Sequence, residues 1–131
     1  MRLWMLKFTY GVEIGAHLAY LGHYGRTKDL NISNIAKEEK QHQEIIKIIL
    51  REHGTTTNFF INSVFWIVGT IIRYLCYVSP VFLLNRVATA LEIFAVYSYK
   101  DLSVKFPKNK ALLLEMGKTE EEHIKYFRSL S

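Results

Sequence analysis

The feature that most restricts this chain is a set of acidic side chains placed where apolar ones belong. Toward the C-terminal end, Leu113, Met116, Glu120, His123, Phe127 and Leu130 follow one another in steps of three and four. Such spacing puts them on one face of a helix. That face is apolar at both ends and carries a carboxylate and an imidazole at its centre. Glu121 and Glu122 fall on other faces and read as solvated. The row Ile35, Glu39, His42, Ile46, Ile49 repeats the pattern. Two further rows each carry a lone glutamate mid-stripe. One is Leu6, Glu13, Tyr20; the other is Leu84 or Asn85, Ala88, Glu92, Ala95, Tyr99, Leu102, Phe106.

The intervening punctuation predicts five helical segments. The first covers about 3–24 and ends near Gly25. The second starts between Asp29 and Ser33, where N-cap residues cluster, and runs to about His53, with Gly54 as its stop. A strongly apolar third segment covers about 59–77. Ser79 and Pro80 then offer an N-cap and a first-turn proline for a fourth helix to about Lys105. Pro107 separates it from the last helix, about 108–130. The expected fold is therefore all-α: a four-helix bundle with an extra apolar crossover helix between two helical hairpins. Each hairpin has a lone glutamate on its first ligand helix and Glu-x-x-His on its second, Glu13 with Glu39 and His42, Glu92 with Glu120 and His123.

Four buried carboxylates without compensation would cost far more than a small domain can supply. Two divalent cations carry as much positive charge as the four glutamates carry negative, so with neutral histidines the site has no net charge. Glu and His three residues apart project from one face and can offer an oxygen and a nitrogen ligand together. One glutamate from each of two helices and Glu-x-x-His from the other two is the ligand arrangement of bundle di-iron carboxylate proteins. The expected metal ligands are Glu13, Glu39, His42, Glu92, Glu120 and His123. Mixed carboxylate and imidazole donors suit iron, or manganese, better than a structural zinc site, which favours thiolates.

The rest of the composition narrows the options. A length of 131 residues suits one domain, and 50% apolar content allows a sizeable core. The net charge of +5 comes from scattered basic residues; Lys105, Lys108 and Lys110 read as a solvated turn beside Pro107. A basic balance also fits an anionic membrane surface. No nucleic-acid-binding motif is present. Cys76 is the single cysteine, set in an apolar run, so neither an internal disulfide nor a paired-cysteine metal site can form. That usage fits a reducing cytoplasm. The opening MRLWMLKFTY reads as the start of a helix rather than a signal peptide, since Lys7 interrupts its apolar part.

The motifs also resemble a known family, the demethoxyubiquinone hydroxylases, di-iron monooxygenases of ubiquinone biosynthesis in the ferritin-like superfamily. Glu13-Ile-Gly-Ala16-His-Leu-Ala-Tyr20-Leu-Gly22-His23 matches that family's first-helix pattern, with His23 in a glutamine position. Glu39-Lys-Gln-His42 and Glu120-Glu-Glu-His123 match its two Glu-x-x-His motifs. Phe65-Trp66-Ile-Val-Gly69 matches its apolar helix, and Ala90-Leu-Glu92 with Tyr99 its third ligand helix. Ser98 stands where the family often has histidine, and the family's chains continue beyond the last histidine into further apolar helices. The resemblance implies Fe(II) ions bridged by Glu39 and Glu120 and held terminally by Glu13 and Glu92. It implies dioxygen as co-substrate, a quinone-like or aromatic ring as substrate, and hydroxylation as the reaction. Electrons must come from an external donor, because the chain has no flavin motif, Rossmann fingerprint or iron–sulfur cysteines.

A rubrerythrin-like or ferritin-like ferroxidase or peroxide reductase is the alternative, although rubrerythrins usually carry a further glutamate where this chain has Ala95. A non-catalytic metal-binding bundle is a third. Tyr20 and Tyr99 sit near ligand positions; packing is their plain role, and hydrogen bonding to a ligand or assisting proton and electron transfer the functional one, for which Tyr99 is the catalytic candidate. His17 lies one turn after Glu13 and reads as interfacial or as a hydrogen-bond donor to a ligand. His23 and His53, near helix ends, are expected to be exposed. Residues 59–84 contain Arg73, Ser79 and Pro80, which makes them a poor membrane span. They are expected to cover the bundle, to pair in a homodimer, or to lie peripherally on the inner face of the cell membrane with Phe65 and Trp66 inserted.

Overall fold

The computed structural model describes residues 2–130 and is all-helical, with no strand among them. Five helices follow one another: α1 (Leu3–Thr27), α2 (Leu30–Glu52), α3 (Phe59–Leu75), α4 (Val81–Lys105) and α5 (Lys110–Ser129). Short 3-10 turns occupy Cys76–Val78 and Pro107–Asn109. The chain forms two compact units, residues 1–79 and 80–131.

In the first unit, α1 and α2 form a helical hairpin. Lys28 closes α1 in the left-handed conformation, φ 58°, and its N–H reaches the Tyr24 carbonyl. Asp29 then caps α2 by accepting from the Asn31 N–H at 2.9 Å, and Gly54 at φ +73° ends it. Leu6, Tyr20, Ile32, Ile46, Ile49 and Leu50 are buried. α3 begins at Asn58, whose side chain accepts from the Ile61 N–H at 2.9 Å. It lies against a seam of glycines on α1. A Cβ added at Gly11 would reach Phe65 Cδ2 at 2.5 Å, and one at Gly69 would reach the Gly15 Cα at 2.9 Å. At Gly22 it would run into the backbone of Arg73, and at Gly25 into the Tyr77 hydroxyl. α1 thus packs on two sides, which is why its apolar periodicity is blurred.

The rest of α3 is uncovered. Phe59, Phe60, Trp66, Ile67, Ile71, Tyr74 and Leu75 are all exposed, Phe59 by 85%. Two helices, Phe59–Val78 and Val81–Lys105, are long and apolar enough to cross a membrane. Ser79 and Pro80 fall between the two, and Arg73 lies inside the first. α4, however, carries the buried Glu92 in its middle, as a core helix does.

In the second unit, α4 and α5 form another helical hairpin, joined through the Pro107–Asn109 turn. Ala88, Val96, Tyr99, Leu102, Phe106, Leu113, Met116 and Phe127 are buried. Gly117 lets α5 approach Tyr99, whose Cβ would lie 3.4 Å from an added Cβ. Two expectations need correction. Ser79 does not cap α4: its hydroxyl donates back to the Leu75 carbonyl at 2.7 Å, and Pro80 takes the cap position. Leu130 is 40% exposed, because α5 ends at Ser129 and the apolar stripe stops at Phe127. Of the basic turn, Lys105 pairs with Asp101 at 2.6 Å.

Candidate metal centre

Each unit gathers one carboxylate-rich triad. In the first, Glu13 comes from the middle of α1, and Glu39 and His42 come from one face of α2. Their exposures are 1%, 1% and 4%. Each offers a ligand atom within 4.8 Å of the others, and His42 Nδ1 stands 3.6 Å from Glu13 Oε2. In the second, Glu92 comes from α4, and Glu120 and His123 from α5. These are equally buried, and their ligand atoms also lie within 4.8 Å of one another. His123 Nδ1 stands 3.4 Å from Glu92 Oε2 and 3.7 Å from Glu120 Oε2.

These separations decide what the groups are arranged for. Good hydrogen bonds between imidazole and carboxylate are shorter, about 2.7–2.9 Å when charge-assisted. Two ligands of one ion, each ~2.1 Å away and at 90–110° to each other, lie ~3.0–3.4 Å apart. The observed distances are near the second figure. Both imidazoles present Nδ1 to their triad.

The charges point the same way. No lysine or arginine is among the buried described residues, so no basic side chain of that kind shares the interior with the four glutamates. Each triad contains two carboxylates and one imidazole; with the carboxylates ionised and the imidazole neutral it carries two negative charges. One divalent ion per triad brings each to zero. The donors are hard oxygens and borderline nitrogens, which fit iron or manganese. The triads can therefore hold metal; the identity of the ion is not fixed by them.

The neighbouring residues sort as follows. His17 is interfacial: its Nδ1 donates to the Ala36 carbonyl of α2 at 2.7 Å. Tyr20 and Tyr99 are fully enclosed at 2% and 0% exposure, which fits packing; no exposed hydroxyl is available at either. His23 is a correction. It is 3% exposed, not solvated, and its ring lies 6.5 Å from that of Tyr20. His53 is half-buried and donates from Nδ1 to the Ile49 carbonyl at 2.8 Å. Cys76 is buried, its thiol directed to the Ala19 carbonyl at 3.7 Å; burial pushes its pKa up from 9.0, partly offset by a backbone hydrogen bond. Glu121 and Glu122 are exposed as expected, and Glu121 lies 3.8 Å from Lys100.

Sequence reasoning passed over Gln43. It is 2% exposed, and its amide donates to the Glu13 carbonyl at 3.2 Å. Its signal was available, since a glutamine adjoining His42 falls beside the apolar face of α2. Comparison of the chain with family models, curated proteins and solved structures returned no match in any of the three.

Proposed function

We propose that this chain is a di-iron oxidoreductase that activates dioxygen, with the two triads together holding one pair of iron ions. Glu13, Glu39, His42, Glu92, Glu120 and His123 would hold the pair. The observation that carries this reading is the duplication: two hairpins each bury two carboxylates and one imidazole with ligand atoms within 4.8 Å. Chance placement of one such triad is conceivable; two of identical composition with so little other buried charge are costly unless metal compensates them.

When bound, a pair of ferrous ions supplies the electrons and Lewis acidity for reducing dioxygen. The favoured reaction is hydroxylation of a quinone-like or aromatic ring, which balances as RH + O2 + 2 e− + 2 H+ giving ROH + H2O. An external donor supplies the electrons. The protein's part is to hold the ligands aimed inward and to keep bulk water out of the buried interior. Tyr99, enclosed on α4 seven residues past Glu92, is the side chain we assign to a proton or hydrogen-bonding role there. A buried Ala95 on the same helix removes the extra carboxylate of a rubrerythrin-like peroxide reductase and favours the monooxygenase.

The exposed apolar side of α3, together with a net charge of +5, supports peripheral attachment to an anionic membrane, where a lipid-soluble ring would be found. Co-flotation with anionic vesicles checks this; a protein left at the bottom of the gradient contradicts it.

Glu39→Ala and His42→Ala test the centre itself. Each should cut bound iron at least severalfold, measured by mass spectrometry of metal in the purified protein. Unchanged iron content in both would remove the reading. Rapid iron oxidation by peroxide with no hydroxylated organic product would shift the assignment to a ferroxidase or peroxide reductase.

A further inference from the structure

Two hydrogen bonds tie α1 to α2 on either side of the first triad. His17 Nδ1 and the Ala36 carbonyl are 2.7 Å apart. A carbonyl only accepts, so the imidazole carries its proton on Nδ1 and donates. Gln43 Nε2 donates to the carbonyl of Glu13, itself a triad residue, at 3.2 Å. The glutamine is buried, and its Oε1 in turn accepts from Lys40 Nζ at 3.4 Å. Both acceptors are helix carbonyls, which have a second lone pair for such a bond.

The placement is what gives the pair meaning. On α2, Ala36 and Gln43 are seven residues apart, about 10 Å along the axis, and Glu39 and His42 lie between them. On α1, Glu13 and His17 are four residues apart, about 6 Å. Apolar packing through Leu6, Ile35 and Ile46 holds the hairpin together but is non-directional. Two bonds at separated points fix both register and rotation. Without them, the Glu13 and Glu39 side chains would be held at ligand separation by non-directional packing alone.

We propose that His17 and Gln43 are positioning residues that hold Glu13, Glu39 and His42 at metal-binding separation before any ion arrives. This rests on the metal-centre reading above. The clamp does not ligate; it lowers the cost of organising the ligands. Outer partners of metal ligands commonly change affinity by about 10–100-fold when removed.

The test uses Co(II) as a spectroscopic probe, bound to the full chain after chelation of native metal, with affinity read by competition against a chelator. His17→Leu and Gln43→Met, which remove the donors while keeping much of the volume, should each weaken Co(II) binding about tenfold and shift its visible absorption bands. His17→Asn, whose side-chain amide places a donor near the Nδ1 position, should recover most of the affinity and the wild-type spectrum. A merely structural role would lower the melting temperature of the metal-free protein and leave affinity and bands unmoved. That result, or affinities within twofold of wild type, or no recovery in His17→Asn, overturns the clamp alone. A wild-type chain that takes up no Co(II) overturns the metal centre and the clamp with it.

Discussion

A buried glutamate has opposite effects on this protein with and without metal. Glu13 is 1% exposed and stands 3.6 Å from His42. Without metal, burying a carboxylate costs more than burying an amide of the same shape. Glu13→Gln should therefore stabilise the metal-free protein by about 1–3 kcal/mol while weakening metal binding. Thermal melts with and without chelator check this; a variant less stable than wild type in chelator contradicts it. Cys76 gives a second prediction at this scale. Its folded-state pKa lies above the unfolded value of 9.0 because burial disfavours the thiolate. Below that pH both states hold the proton and the contribution to stability is complete. As pH rises past it the unfolded chain ionises first, so stability falls toward the folded pKa. Melting temperatures from pH 8 upward should fall more steeply for wild type than for Cys76→Ala. Among the residues, the six proposed ligands were legible because a charged side chain mid-stripe is a local anomaly that periodicity exposes. His23 was not, since burial near a helix end depends on what docks there, as Arg73 and Tyr77 do at the neighbouring Gly22 and Gly25. Gln43 could be placed beside the apolar face of α2, but its partner, a backbone carbonyl on another helix, leaves no pattern in the sequence.

The helices show a division between what local chemistry and what docking decides. Asp29, Asn58 and Gly54 act as start and stop signals that work on their own neighbours, so α2 and α3 begin and end close to where the sequence puts them. Ser79 misled because a serine at the end of one helix can bond back into it as readily as cap the next. The glycine seam on α1 belongs to docking. Gly11, Gly15, Gly22 and Gly25 are spaced so that α3 can come close, and nothing local demands them. Their meaning appears only once the partner helix is in view. Gly22→Val should be strongly destabilising, by about 2–4 kcal/mol, because its side chain would collide with the Arg73 backbone, which cannot swing aside as a side chain can. Gly54→Ala meets no neighbour and should cost only about 1 kcal/mol from its positive φ. Denaturant midpoints of the two variants give the comparison; equal midpoints would mean that α3 is not seated on that seam.

For the whole chain, the expected all-α architecture is present, with five helices and the apolar one third in order. A single domain was expected from length, and the chain forms two compact units, each built on a hairpin with its own triad, the first also holding α3. That division has a physical logic: each hairpin can assemble its own ligands locally. Metal should accordingly stabilise the whole protein, by about 2.7 kcal/mol at a free concentration one hundred times the dissociation constant. The most direct measurement is the iron stoichiometry of the full chain, titrated anaerobically with Fe(II) after chelation of native metal and counted per protein. Two ions per chain are expected, falling in Glu39→Ala and in Glu120→Ala alike. A chain that binds no iron, or whose binding survives both substitutions, would contradict the paired-metal centre.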